Sequence, residues 1–219
     1  MGSGSEGGEC GHVQPVLGER CILLQMDPSA EAIDAQAELI LQARKGDADA
    51  WETLVRDHQT NVFRLAYLFL GDSAEAEDVA QETFLRAYRS LLRFDTSRPL
   101  RPWLLSIAAN LARNRWRAIG RYLSALQRLV QSEPTHSPTA EQQSVNNLQY
   151  QRLWSAVKQL DHVDQQVIYL RYFLDMSTEE TSDAMRIAPG TVKSRLHRAL
   201  TRLRSVIEDE YPDLKDALG

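Results

Sequence analysis

The chain has few of the residues that suit an oxidising or membrane environment. Its 219 residues include only two cysteines, Cys10 and Cys21, too few for a disulfide framework. The longest unbroken apolar run is Leu65–Leu70, far shorter than the roughly 20 residues of a membrane span. The first 25 residues lack the basic head and apolar core of an export signal. The sequence therefore predicts a cytoplasmic protein without membrane insertion.

Acidic residues are missing from two long stretches. The whole chain carries 25 Lys plus Arg and 30 Asp plus Glu, a formal net charge of −5. Arg98–Arg128 nevertheless holds seven arginines and no acid, and Arg186–Arg204 holds five arginines, one lysine and no acid. The remaining residues carry 12 basic and 30 acidic side chains. Two wholly basic segments in an acidic chain indicate an anionic partner.

Glycine is scarce between Ala35 and Gln131, where only three occur, and no segment alternates apolar and polar residues as a strand does. The polar segment Gln131–Asn147 contains two prolines and is typical of a linker. We therefore predict an all-α fold of two small helical domains joined by a flexible linker. The predicted limits are an N-terminal extension at 1–34, a first domain at 35–122, a linker at 123–147, a second domain at 148–207 and an acidic tail at 208–219.

Apolar residues recur at helical spacing in both predicted domains. In the first domain the stripe consists of Val79, Phe84, Tyr88, Leu91 and Leu92. In the second domain the last helix carries Val192, Leu196, Ala199, Leu200, Leu203 and Ile207. We expect these side chains to face the core.

The second domain has the signals of a helix-turn-helix. Ser177 and Glu180 form the S-x-x-E pattern of a capping box, which predicts a helix from there to about Met185. Residues 186–188 then read as a short turn, and Pro189 suits the first turn of a new helix. Two helices joined by a tight turn are typical of this DNA-binding motif.

The outer face of the second of these helices is basic. Since the N-terminal part of a recognition helix reaches base edges, we assign Thr191, Lys193, Ser194 and Arg195 to the major groove. Arg198 and Arg202 lie further along and are assigned to phosphates. The alternative is a solvated basic face on an ordinary bundle helix.

These residues carry a family resemblance. The segment PGTVKSRLHRALTRLR resembles the recognition helix of domain four of bacterial RNA polymerase sigma factors, in particular the extracytoplasmic-function (ECF) group of the sigma-70 family. Thr181 and Ser182 stand where that family usually has an aliphatic residue and alanine, so their hydroxyls need hydrogen-bond partners. Arg186 and Asp175 each replace a common glycine.

The resemblance extends to the first domain. AEAEDVAQETFLRAYRSLLRFD resembles the sigma-factor helix that docks on the clamp coiled coil of core polymerase. The positions that match the docking motif are Asp78, Gln81 and Glu82, followed by Phe84. Asp78, Gln81, Glu82 and Leu85 share one helix face and form a polar, acidic stripe beside the apolar one. Without the resemblance, a solvated acidic face would be the better explanation of this stripe.

RPWLLSIAANLARNRWRAIGR resembles the segment that contacts the −10 promoter element in this family. The resemblance implies that the preceding loop, Phe94–Arg101, builds a pocket for an unstacked base. Trp103 is interpreted as a core residue, whereas Trp116 suits either stacking or packing. The residues assigned to −10 recognition and melting are Asp95, Thr96, Ser97, Arg98, Arg101, Asn110, Arg113, Asn114, Arg115, Trp116 and Arg117.

Catalytic and metal-binding patterns do not accompany these motifs. Cys10, His12 and Cys21 supply three possible ligands, but no C-x-x-C or H-x-x-x-H pair completes a tetrahedral site. The sequence has no H-E-x-x-H, G-x-G-x-x-G or Walker lysine loop. We therefore predict neither a metal, nor a cofactor, nor an enzymatic activity.

The resemblance implies a dissociable initiation factor that binds core polymerase through its clamp coiled coil and flap, and directs it to −10 and −35 promoter elements. It also implies an anti-sigma factor as a partner. Two alternatives remain at this point: a helix-turn-helix regulator that does not dock on polymerase, and a degenerate sigma factor that acts as a protein-interaction module.

Overall fold

The computed structural model describes residues 30–129 and 145–211, and all regular structure in these ranges is helical. The first segment contains α1 (Ala30–Arg44), α2 (Ala48–Leu70), α3 (Ser73–Ser90) and α4 (Leu100–Leu129), with a 3₁₀ turn at Leu91–Arg93. The second contains α5 (Val145–Lys158), α6 (His162–Ile168), α7 (Thr178–Met185) and α8 (Pro189–Glu210), with a π-helical turn at Tyr169–Phe173. The predicted all-α fold is confirmed.

Side-chain caps begin several of these helices. The carboxylate of Asp47 accepts hydrogen bonds from the backbone of α2, and Asp72 and Asp161 do the same for α3 and α6. Each cap satisfies backbone N–H groups that have no partner within the helix. At α7 the predicted capping box is confirmed, because Ser177 accepts from the Glu180 N–H and the Glu180 carboxylate accepts from the Ser177 N–H.

The first four helices form one bundle. Helix α2 packs against α1, α3 and α4, and α3 also packs against α4. The stripe that we predicted on α3 is buried only in part: Val79 and Leu91 are in the core, but Tyr88 is 49% exposed and Leu92 is 72% exposed. The prediction is wrong at Leu92 because α3 ends at Ser90 and the 3₁₀ turn that follows rotates Leu92 outward. It is wrong at Tyr88 because this ring lies against Trp51 of α2 at the surface, with ring centroids 5.1 Å apart.

The last helices form a smaller unit in which α8 packs against α5, α6 and α7. The predicted stripe of α8 is buried at Val192, Ala199 and Ile207. Leu200 is the exception at 36% exposure, because it follows Ala199 by one residue and lies at the edge of the buried face.

The two units share a hydrophobic core, whereas the sequence predicts separate domains joined by a flexible linker. Helix α4 packs on α7, and buried residues of both units belong to one continuous cluster. Phe69 at the end of α2 meets Tyr169 of the π-helical turn edge to face, with ring centroids 5.2 Å apart. Helix α4 also runs to Leu129, beyond the position 122 at which we placed the end of the first domain. The domain limits remain a prediction.

The turn between α7 and α8 contains a residue in an unfavourable backbone conformation. Arg186 has φ +56°, and Asp175 before α7 has φ +48°, so both lie in the left-handed region that favours glycine. These are the two positions where the sequence departs from a common glycine. Having arginine and aspartate in place of glycine therefore lowers stability locally, but the backbone of both turns keeps its left-handed conformation.

We predict that Arg186→Gly raises the free energy of unfolding by about 0.5–1 kcal/mol, because relief of the left-handed strain outweighs the added freedom of the unfolded chain. Chemical denaturation of the two proteins measures it. The matched control is Arg204→Gly in the exposed middle of α8, which should lower stability by about 1 kcal/mol. Equal losses for both variants would contradict the strain at Arg186.

Candidate nucleic-acid and protein interfaces

The two hydroxyls of α7 that depart from the family pattern both have hydrogen-bond partners. Thr181 is fully buried, and its hydroxyl donates to the Ser177 carbonyl at 2.7 Å. The Ser182 hydroxyl donates across the turn to the carbonyl of Ile187. Both hydroxyls are satisfied, so they do not destabilise α7 as unpaired buried groups would. Ser182 additionally fixes the end of α7 to the start of α8.

The outer face of α8 presents a compact set of cations. Lys193, Ser194 and Arg198 are exposed, and Thr191 and Arg195 are half-buried. Lys193, Arg195 and Arg198 form no ion pair with any residue that the structure describes. Their charges are therefore available to an anion.

Arg202 differs from the rest of this face. Its guanidinium forms ion pairs with the carboxylates of Asp164, which is almost fully buried, and Asp161, the latter at 3.3 Å. The arginine joins α8 to the start of α6 and has its charge compensated within the chain. The structure thus separates Arg202 from the five other residues that we assigned to the −35 element.

The loop before α4 is held in shape by its own side chains. The Asp95 carboxylate accepts from the Ser97 N–H at 3.1 Å and from the Ser97 hydroxyl at 2.7 Å. These hydrogen bonds stabilise the ionised form and lower the pKa of Asp95. Asp95, Thr96 and Ser97 therefore form a tight polar turn at the start of the loop.

Two residues of α1 that were not predicted as functional support this loop. Arg44 donates to the carbonyls of Leu91 and Phe94, and the Gln36 side-chain oxygen accepts from the Leu100 N–H at 2.9 Å. Their partners are 47 to 64 residues away, so no local pattern marks them. Trp103 packs on Phe94 with ring centroids 4.7 Å apart, in agreement with its predicted place in the core.

Beside the loop lies a cavity of about 300 Å³. Its walls come from the loop and the start of α4 on one side, and from the end of α7 on the other. Arg93, Arg98 and Arg186 contribute cations, and Asp95 and Asp183 contribute carboxylates.

The predicted −10 face of α4 is exposed along one side, but not all of it is free. Asn110, Asn114 and Arg117 are exposed. The Arg113 guanidinium bonds to Asn110, and burial lowers its pKa. Arg115 forms ion pairs with Glu75 and, at 3.5 Å, with Asp78, so a predicted DNA contact meets a predicted docking residue.

Trp116 is 44% exposed and rests against His162 of α6, with ring centroids 4.0 Å apart. Arg98 and Arg101 also contact the second unit. Of the residues assigned to the −10 element, these three are therefore involved in packing between the units.

The predicted docking stripe on α3 divides into two flanks. Gln81, Phe84 and Leu85 line a groove between α2 and α3, with Trp51 and Tyr88 beside them. Leu85 is 53% exposed and Tyr88 49% exposed. The acidic flank is engaged within the chain, since Glu82 pairs with Arg86 at 2.6 Å and Asp78 with Arg115. Trp51 was not among the predicted docking residues, because the groove is formed only when α2 packs on α3. Tyr88 was not among them because it had been predicted to face the core.

Within residues 30–129 and 145–211, no cluster of three or more His, Cys, Asp or Glu side chains is arranged to hold a metal ion. Cys10, His12 and Cys21 lie outside the described residues. The helices of the same ranges include none that is both long enough and apolar enough to cross a membrane.

Comparison with known proteins gives two family matches in chain order. The model of sigma-70 region 2 matches residues 54–122, and the model of sigma-70 region 4 matches residues 150–203. Together the two matches take in more than half of the chain. They fall on α2–α4 and on α5–α8.

Full-length relatives agree with these matches. The ECF RNA polymerase sigma factor SigW of Bacillus subtilis is 33% identical over 178 residues, which cover 78% of this chain and 95% of SigW. The ECF RNA polymerase sigma factor SigL of Mycobacterium tuberculosis is 36% identical over 172 residues, covering 76% of this chain and 94% of SigL.

Among solved structures, CnrH in complex with the cytosolic domain of CnrY matches with a TM-score of 0.61 and 26% identity, covering 81% of this chain and 99% of CnrH. Sequence and fold thus agree over both units. The chain belongs to the ECF family of RNA polymerase sigma factors, which are transcription initiation factors and not enzymes.

Proposed function

We propose that this sigma factor reads the −35 element with the first turns of α8, contacts and melts the −10 element with the Phe94–Arg101 loop and the outer face of α4, and docks on core polymerase through the groove between α2 and α3. The observation that carries the proposal is the set of uncompensated cations on α8, namely Lys193, Arg195 and Arg198. A basic face without internal partners is what phosphate and base contacts require.

At the −35 element, Thr191, Lys193, Ser194 and Arg195 face the base edges, and Arg198 binds a phosphate. Arg202 has a smaller role than its position suggests. A phosphate would have to displace Asp161 and Asp164, and the exchange would leave the nearly buried Asp164 carboxylate without its partner.

At the −10 element, Asn114 and Arg117 approach the backbone from α4, and the polar turn of Asp95, Thr96 and Ser97 forms the rim of a pocket for an unstacked base. Arginine suits this face because its planar guanidinium both bonds phosphates and stacks on bases. Asn110 and Arg113 act as a bonded pair, and Arg115 contributes fully only when it leaves Glu75 and Asp78.

On the polymerase side, the groove binds the clamp coiled coil through Phe84, Leu85 and neighbouring aromatic side chains, with Gln81 as its polar contact. Apolar and aromatic groups at the centre of such an interface supply most of its binding energy. The second domain meets the flap, and all of these contacts take place in the cytoplasm, where polymerase acts. The limits of the two domains are those predicted from the sequence, 35–122 and 148–207.

An anti-sigma factor is the further partner that we propose. CnrH, which this chain resembles over both units, was solved in complex with the cytosolic domain of another protein, CnrY. A sigma factor from Bartonella quintana with the same fold was solved with the anti-sigma factor NepR.

One reconstitution separates this proposal from its alternatives. The factor is added to core polymerase and a library of promoter fragments, and transcripts are sequenced. The proposal predicts transcripts from a promoter class that shares −35 and −10 sequences. Sequence-specific DNA binding without core would instead favour a helix-turn-helix regulator, and core binding without open complexes a degenerate sigma factor.

We predict that Arg195→Ala reduces discrimination between matched and mismatched −35 elements by about tenfold, the effect of losing one good base contact. Arg198→Ala, the matched phosphate-contact control, should weaken binding to all sequences alike. Competition between promoter variants in the polymerase complex measures both effects. The same sequence-independent loss in the two variants would remove Arg195 from base recognition.

For docking, we predict that Leu85→Asp lowers affinity for core polymerase at least tenfold, because it places a charge in the apolar groove. Leu92→Asp is the matched control, since this leucine is more exposed and does not line the groove. Fluorescence titration of core with labelled factor measures the affinities. An unchanged affinity for Leu85→Asp would contradict docking through the groove. Substitution of Asp78 would test docking less directly, because it would also remove the ion pair with Arg115.

A further inference from the structure

The loop that we assign to the −10 element is attached to α1 at both of its ends. At its start, the Arg44 guanidinium donates to the Leu91 carbonyl at 3.0 Å and also to the Phe94 carbonyl. At its end, the Gln36 side-chain oxygen accepts from the Leu100 N–H at 2.9 Å. Since only a short segment lies between these two points, α1 determines where that segment begins and where it ends.

The attachment at Leu100 replaces a cap that the local sequence cannot provide. Leu100 is the first residue of α4, and the first N–H groups of a helix have no partner within it. At α2 and α7, Asp47 and Ser177 stand at the preceding position and accept from such groups. Before α4 that position is Pro99, whose side chain has no acceptor. Gln36 therefore supplies from α1 the acceptor that a capping side chain supplies locally.

The amide of Gln36 is oriented by His58 of α2. Its nitrogen lies 3.4 Å from Nε2 of the His58 ring. Because an amide nitrogen can only donate, this ring nitrogen accepts, and the neutral ring carries its proton on Nδ1. Burial lowers the pKa of His58 and so favours this neutral form. With its nitrogen bound to His58, the amide directs its oxygen to the Leu100 N–H.

Arg44 binds the other end of the loop at a place where backbone carbonyls need partners. Leu91 and Phe94 follow the C-terminal end of α3, and the last carbonyls of a helix have no partner within it. Arginine can donate to two carbonyls at once because its guanidinium carries its donors in a rigid fork. The Phe94 ring packs on Trp103, with ring centroids 4.7 Å apart. The start of the loop is thus fixed by α1 through its backbone and by α4 through its side chain.

We propose that Gln36 and Arg44 are positioning residues for promoter recognition, which place the loop against α4 and thereby determine its base preference in the −10 element. Neither side chain needs to touch DNA, because each acts through the backbone of the loop. The proposal rests on the assignment of this loop to the −10 element. The matched region 54–122 begins after α1 and therefore includes neither residue.

The position of the loop matters because of how its polar turn is built. Asp95 and Ser97 hold the shape of the turn through their own hydrogen bonds, but these bonds do not place the turn relative to α4. A pocket discriminates between bases only when its polar groups are held close to the productive geometry. The attachments to α1 supply that constraint.

The test compares base preferences, because a ratio between two promoters does not depend on the fraction of the factor that is folded. Gln36→Met removes the acceptor and keeps the length of the side chain. The matched control is Gln42→Met, since the Gln42 amide donates to Glu38 of the same helix. Each factor is combined with core polymerase and promoters that vary at every position of both elements, and transcripts are counted by sequencing.

We expect Gln36→Met and Arg44→Ala each to reduce base discrimination in the −10 element about fivefold or more, and to change −35 discrimination less than about twofold. Gln42→Met should match the unsubstituted factor at both elements. So should Lys45→Ala, which removes the exposed cation next to Arg44. If Arg44→Ala does not fold, Gln36→Met decides.

Unchanged −10 discrimination in either variant would overturn the positioning role of that residue and leave the proposed function standing. An equal loss at both elements would also overturn it, because the effect would then not act through the loop. If the unsubstituted factor has no base preference in the −10 element, the proposed function itself fails.

A second measurement follows the attachment in the free factor, without DNA. Amide hydrogen exchange, recorded by NMR, reports how often the Leu100 N–H is without its partner. Gln36→Met should speed exchange at Leu100 about fivefold or more, whereas Gln42→Met should leave it unchanged. The amide of Ala108, in the middle of α4, is the reference that shows any loss of overall stability. Equal exchange at Leu100 in the two variants would overturn the capping of α4 by Gln36.

Discussion

The packing of α4 on α7 is the contact on which the other surfaces depend. Helix α4 contributes its inner face to the first bundle, and both Arg101 at its N-terminal end and Trp116 in its middle contact the second unit. The same helix and the loop before it carry the residues that we assign to the −10 element. By this assignment the segment has two competing partners, the second unit and DNA.

Electrostatics makes this competition specific. The two acid-free segments suggest uniformly basic surfaces, but the folded chain brings acids to particular arginines: Asp183 to Arg98, Glu75 to Arg115 and Asp164 to Arg202. The Arg98–Asp183 and Arg115–Glu75 pairs are at least partly exposed and contribute little to stability, so a polyanion can replace the acid at small cost. The Arg202 pair differs, because its Asp164 carboxylate is nearly buried. The cations of α8 without such partners are then the ones available for a first encounter with DNA.

Local chemistry was enough to predict much of the fold. The capping box at Ser177, the first turn at Pro189 and the buried stripe of α8 are all set by neighbours within a few residues. The family resemblance also marked Asp175 and Arg186 as positions where glycine is common, and the backbone is left-handed at both. The support of Arg44 for the loop and the pairing of Arg98 with Asp183 could not be predicted, because their partners lie 47 to 85 residues away and periodicity carries no information about tertiary contact. Tertiary contacts also divide the predicted docking stripe of α3: one side lines the groove, and the acidic side forms ion pairs within the chain. Periodicity could not predict this division either.

The central claim is that the two surfaces that we assign to the −10 and −35 elements lie on adjoining units of the free factor and move apart when it initiates transcription. Paired fluorescent dyes on the exposed face of α2 and near the end of α8 measure this separation by energy transfer. The account predicts that they lie within about 40 Å in the free chain, and that energy transfer falls to near zero in the complex with core polymerase and promoter, where the elements are about 85 Å apart. Unchanged transfer in a complex that initiates transcription would contradict it.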